Sequence, residues 1–188
     1  MIEDNKMRNE EPFFQCPEYN SEHFFIRKMK MEDGPDLFAC YSDKEAAKYF
    51  NGDCCNDDFY YTDYEKFLNC MEFWESRYEI HDFVRFSVVE KETGTVIGMV
   101  EVCPSQKYSV DDQWMGILRI DLRSQYEAFY DEVLQVMIEH LYDDFGVSAL
   151  LTKAQEEAKE RRGVLKKYHF VSAMDECNIS FRDYFLRF

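Results

Sequence analysis

The sequence predicts a single α/β domain, and three observations predict it. Phe83 to Glu90 and Thr95 to Cys103 are β-rich, alternate with period two, and are joined by the hairpin signal Lys91-Glu92-Thr93-Gly94. A strongly amphipathic helix spans about Gln125 to Asp144, with Phe129, Val133, Met137 and Leu141 on one stripe. After it, short strands and a helix alternate to Phe188. A chain of 188 residues buries one real core and is short for two.

Residues 1–20 are polar and charged, and read as an N-terminal arm docked by Phe13-Phe14. The domain proper is expected over 21–188. His23 to Met29 suits a first strand. Met31 to Pro35 turns the chain into a helix, with Asp33 as its cap and Pro35 in its first turn. Leu37, Phe38 and Tyr41 form the apolar side of that helix, and Ser42-Asp43 opens a second short one. After a polar loop at 51–58, the spacing of Tyr64, Phe67, Leu68, Met71 and Trp74 predicts a helix over 62–78. Gln113 to Leu122 reads as a third strand of the meander. Gly146 stands where the long helix needs a C-terminal cap. Val147 to Leu151 is then a strand, 154–168 a helix, and 170–174 and 181–188 two closing strands.

The net charge is −16. Such a field opposes nucleic acids and anionic lipids and favours cationic partners, although an acidic surface also simply keeps a protein soluble. No apolar run is long enough for a membrane span, and Met1 to Asn5 has no secretory pattern. Seven scattered cysteines suit free thiols in a reducing compartment, hence the cytoplasm, rather than a disulfide framework. Adjacent Cys54-Cys55 lacks the second CxxC or histidines of a metal set, so no metal is expected.

Three stretches carry a family resemblance. Ile26-Arg27-Lys28-Met29-Lys30-Met31-Glu32-Asp33-Gly34-Pro35-Asp36-Leu37-Phe38, followed by Tyr41-Ser42-Asp43 and Tyr49-Phe50, is one. Glu92-Thr93-Gly94-Thr95-Val96-Ile97-Gly98 is the second, and Val164-Leu165-Lys166-Lys167-Tyr168-His169-Phe170 the third. In order and spacing they resemble the GNAT (GCN5-related N-acetyltransferase) superfamily, in the branch that acetylates ribosomal-protein N-termini and small amines. The resemblance covers about residues 23 to 188. It implies a mostly antiparallel twisted sheet flanked by helices, with a cleft where the fourth and fifth strands splay. It also implies acetyl-CoA as co-substrate and a primary amine, on a protein N-terminus or a small cation, as acceptor.

In that family the strand and turn before the long helix hold the cofactor. Here they correspond to Ile120, Leu122, Gln125, Tyr126, Glu127, Ala128, Phe129 and Tyr130. Free N–H groups at a helix start bind diphosphate, and glycine lets it approach. Aligning Glu132-Val133-Leu134 with the family's helix puts Gln125 at the Q/R position, Ala128 at the central glycine and Tyr130 at the last small residue. A frame beginning at Arg123 puts Tyr126 and Ala128 there instead. Ser124-Gln125-Tyr126-Glu127 also reads as a capping box, whose Ser124 and Glu127 compete for the same amides. On the next helix the family's asparagine and serine correspond to Ala158 and Arg161. Residues 153–169 carry net charge +3, which suits a diphosphate or a solvated face.

The family's tyrosine acid corresponds to Leu165. Tyr168, one turn on, is the substitute or a structural tyrosine. Glu101 and Asp121, on strands bordering the expected cleft, are the candidate bases. The loops 51–60 and 104–112 would contact the acceptor but have no readable specificity. Two functions follow: an N-acetyltransferase, or a GNAT-fold binding or regulatory protein that has lost catalysis. A third, an acidic decoy for basic surfaces, rests on charge alone.

Overall fold

Alternating apolar residues assemble into one sheet, seen in a computed structural model that describes residues 7–53, 55 and 59–188. Its strands are β1 (Tyr19–Asn20), β2 (Phe24–Lys28), β3 (Val84–Glu90), β4 (Val96–Ser105), β5 (Met115–Leu122), β6 (Ala149–Lys153), β7 (Val171–Ser172) and β8 (Tyr184–Arg187). They lie in the order β1-β2-β3-β4-β5-β6-β8-β7. Neighbours are antiparallel except β5 and β6, which run parallel.

Period two divides each central strand between two layers. Val84, Phe86, Val88, Val100, Val102, Leu118, Ile120 and Leu122 face the long helix α5 (Tyr130–Phe145), which inserts Val133, Leu134, Met137 and Leu141. Helix α6 (Lys159–Lys167), through Leu165, and α1 (Glu11–Phe14), through Phe13, join this layer. The opposite face meets α2 (Gly34–Tyr41) and α4 (Tyr64–Glu79), which bury Leu37, Cys40, Tyr41, Phe67, Met71 and Trp74. No helix among the described residues is long and apolar enough to cross a membrane.

Helix ends follow local chemistry. Asp63 caps α4 by accepting from the N–H groups of Glu65 and Lys66 at 3.0 and 3.2 Å. Asp43 does the same for α3 (Lys44–Ala47). Gly146 ends α5 in the left-handed region at φ 61°, as expected. Gly98 serves close approach: a Cβ there would lie 2.2 Å from the Asp121 carbonyl oxygen across the β4–β5 ladder.

Four expectations are corrected. The long helix starts at Tyr130, not Gln125, because Ser124–Phe129 is wound as a 3-10 helix. Ser124 and Glu127 make no capping box, since an Asp43 carboxylate oxygen takes the Ser124 N–H at 2.8 Å and Arg161 takes the Glu127 carboxylate. Asp33 occupies the cap position of α2 without capping it. Its carboxylate instead binds Arg27 at 2.7 and 2.8 Å, the Ser87 hydroxyl at 2.6 Å and the Lys30 N–H at 2.9 Å. The strand expected over 170–174 is only Val171–Ser172, because the chain turns into a 3-10 helix at Ala173.

Residues 7–20 contribute α1 and β1. Phe13 stacks on His81 at 5.0 Å, and Phe14 meets the same ring edge-on at 4.8 Å. Cys54, and residues 56–58 of the 51–60 loop, lie outside the described residues.

Candidate functional site

The one parallel strand pair creates the opening. β5 and β6 are in register from Met115↔Ala149 to Leu118↔Thr152. Beyond that point Arg119 to Leu122 pair only with β4, so the strands part. The splay expected between the fourth and fifth main strands is present.

The protein's own side chains fill it. Thr152 Oγ1 donates to the Leu118 carbonyl at 2.9 Å, at the point of parting. One step further, Arg161 Nη1 donates to the Ile120 carbonyl at 2.9 Å. The other edge of that guanidinium is bound by Glu127, through Nε and through Nη2 at 2.9 Å. Arg161 also lies 4.5 Å from the Tyr130 ring centroid and 5.5 Å from that of Tyr49. Arg161 is buried at 4% exposure and Glu127 is half-buried at 16%. Removing either partner would leave the other charge without its partner in a largely dry site.

The residues that correspond to the family's cofactor loop do not fit a diphosphate. Tyr130, at the position of a small residue, is buried at 2%. The Ser124 N–H is held by Asp43, and the Tyr126 N–H by the Arg123 carbonyl at 2.8 Å. Burial presses the Asp43 carboxyl upward, yet the bonds from Ser124, Ala46 and Glu45 hold its pKa below the ordinary value. It therefore stays anionic at neutral pH. Gln125 and Ala128 lie in the 3-10 turn. The Tyr126 hydroxyl bonds Glu90, and Phe129 packs on His23 and Phe24. Leu122 is in the core, and Ala158 is the buried residue before α6.

The other face of the sheet is different. Between α4, β3, β4, β5 and β8 lies a cavity of about 1060 Å³. Its floor is a charged row in register across three strands, Arg85↔Glu101 and Glu101↔Arg119. Arg85 reaches Glu101 at 2.5 Å and Arg119 reaches it at 3.2 Å. The guanidinium of Arg85 lies 3.7 Å from the Trp74 ring centroid.

This row decides what the candidate bases do. Burial pushes Glu101 up, but the charges of Arg85 and Arg119 overcome that and hold its pKa below the ordinary carboxylate value. Held as a carboxylate between two arginines, it is a weak proton acceptor. Asp121 sits one register step away, where burial raises its pKa against the pull of Arg85 and of the bond from the Tyr41 hydroxyl at 2.8 Å. It is better poised as a base, but only 5% exposed and absent from the cavity lining. The third candidate, Tyr168, lies on the α5–α6 flank. Its hydroxyl bonds Asp131 at 2.7 Å and Gln135 at 3.2 Å, and burial together with Asp131 raises its pKa. The structure does not bring Glu101, Asp121 and Tyr168 into one site.

Sequence reasoning missed Tyr41, Trp74, Arg85 and Arg119. Its available signal was a basic residue, Arg85 or Arg119, inside each of two largely apolar strands. Among the described residues no group of His, Cys, Asp and Glu is arranged to hold a metal ion.

A mixed sheet parted along one parallel pair, flanked by helices beside the gap, is an acyltransferase scaffold. The model of the acetyltransferase (GNAT) domain matches residues 23–171, and the chain belongs to that family, whose chemistry is acyl transfer. Among solved structures, an acetyltransferase (GNAT family) from Bacillus anthracis is similar at 14% identity and TM-score 0.66, over 91% of this chain and 98% of that one. Ribosomal-protein-S5-alanine acetyltransferase from Vibrio fischeri matches at 16% identity and TM-score 0.65, over 90% and 94%. RimJ from Mycobacterium smegmatis, in complex with CoA-disulfide, matches at 12% and 0.65, over 87% and 79%. At these identities the likeness is one of fold. No curated relative matches the chain.

Proposed function

We propose that the protein is a ligand-binding member of the GNAT fold, whose donor cleft is closed by its own residues and which works through the cavity on the opposite face. One observation carries the reading: the Arg161 guanidinium lies in the splay, bonded to the Ile120 carbonyl and to Glu127. Arg161 thus occupies the backbone edge beside which a pantetheine arm would lie, and the Ser124 N–H is already held by Asp43. Unit charges 4 Å apart interact by about 4 kcal/mol at an effective dielectric near 20, so the Asp43 carboxylate opposes an anion at the Ser124 amide, while the charge of Glu127 is offset by Arg161. Free thiols at Cys16, Cys40, Cys55, Cys70, Cys103 and Cys177 suit a reducing compartment such as the cytoplasm.

The second reading is acetyl transfer from acetyl-CoA to a primary amine, on a protein N-terminus or a small cation. The strand parting that persists after Leu118 favours it, as does membership of the family. It requires Arg161 to leave the cleft.

Calorimetry with acetyl-CoA separates the two. The wild type is expected to show no binding up to millimolar ligand, and no acetylation of a peptide N-terminus or of spermidine. Binding at micromolar concentration with turnover of either amine overturns the first reading and establishes the second.

A further inference from the structure

Among the described residues, the cavity floor sets two guanidinium groups against one carboxylate. Arg85 and Arg119 flank a single carboxylate, Glu101. The other carboxylates among the described lining residues are engaged. Asp53 pairs with Lys153 at 2.6 Å, Asp82 with Arg77 at 2.6 Å, and Asp63 caps α4. Asp121, the next acid below the floor, lies outside the lining and is tied to Tyr41. In a chain of net charge −16 this is a local reversal of sign.

The two arginines are also under-satisfied. Arg85 is 5% exposed, and its Nε is buried with no hydrogen-bond partner; the Nε of Arg119 is likewise unpartnered. A buried guanidinium N–H left unpaired is costly, so the cavity's own side chains leave both arginines with bonding capacity unmet. The walls specify the rest of the ligand. Trp74 stacks on Arg85, Phe59 lies 5.5 Å from the same guanidinium, and Phe73 and Phe83 complete an aromatic lining. Lys66, exposed on α4, stands at the rim.

We propose that this cavity binds a small carboxylate carried on a flat apolar body, the carboxylate against Arg85 and Arg119 and the body among Trp74, Phe59 and Phe83. This deepens the proposed function and rests on it for the cavity being the working site. It reverses the preference for cations expected from the overall charge, because a ligand responds to the field inside the pocket.

Three probes of one shape test it: benzoate, benzamide and benzylamine, followed by fluorescence in a Trp114→Phe background so that Trp74 alone reports. Benzoate is expected to bind at least tenfold more tightly than benzamide, with benzylamine weakest. Arg119→Gln should lower benzoate affinity about tenfold and leave benzamide unchanged. Should that variant not fold, Lys66→Gln on the exposed face of α4 should lower it two- to threefold. Binding of benzamide or benzylamine equal to or better than that of benzoate overturns the carboxylate assignment while the cavity remains the ligand site. No binding of any of the three overturns the cavity as the ligand site as well.

Discussion

At the scale of single residues, the molecule turns on a few ionised side chains held away from water. Arg161 is the clearest. Its guanidinium bonds one carbonyl and one carboxylate in a space that the fold leaves open. Arg161→Ala removes both bonds and strands Glu127 at 16% exposure, so the expected loss is about 3 kcal/mol in urea unfolding. Tyr41 is a second case. Its hydroxyl donates to Asp121 and accepts from Arg85 at 3.1 Å in a fully buried position. Tyr41→Phe should cost about 1–3 kcal/mol by leaving that carboxyl unsatisfied, measured the same way. Thiol chemistry gives an independent check. Burial pushes the thiols of Cys16 and Cys103 up to about 12, so both should resist iodoacetamide at pH 7.5 in the native protein and react after denaturation.

At the scale of elements, capping and register explain both what the sequence revealed and what it hid. The amphipathic stripe of α5, the left-handed Gly146 and the hairpin before Val96 are local signals, and each is where the sequence placed it. The start of α5 was hidden, because Asp43, 81 residues away from Ser124, takes the amide that a capping box would use. The charged row was half legible. Glu101 stood out on its strand, but its two arginines come from β3 and β5, and only the strand register shows that they flank it.

Asp33 gives a prediction at this scale, since it ties β2, β3 and the entry to α2 together. Burial presses its pKa upward, but Arg27, Ser87 and the Lys30 N–H together hold it below the ordinary value. Its stabilisation is therefore complete above the unfolded carboxylate pKa near 3.9 and lost as pH falls through the lower folded value. Asp33→Asn should cost about 2–3 kcal/mol at pH 7, and the gap from wild type should narrow as pH falls below the unfolded carboxylate pKa near 3.9, seen in urea midpoints.

At the scale of the whole molecule, the fold was legible and the fate of its cleft was not. Element order alone indicated a mixed sheet between helical layers, since hairpin-linked strands followed by alternating helix and strand admit few arrangements. Whether Ala158 and Arg161 left the donor cleft empty or filled required knowing where an arginine side chain ends. The same limit applied to charge. A net value of −16 described the exterior and was silent on an interior pocket of opposite sign.

The parted strands have a mechanical consequence. Five strands, β1 to β5, and three, β6 to β8, meet along four register pairs, and past Leu118 the Arg161 guanidinium spans the seam like a rivet. The sheet is thus two plates with a short weld. Hydrogen exchange in Arg161→Ala should show amides of β6 and β8 opening together, ahead of β3 and β4, whereas the intact protein should release the two plates as one.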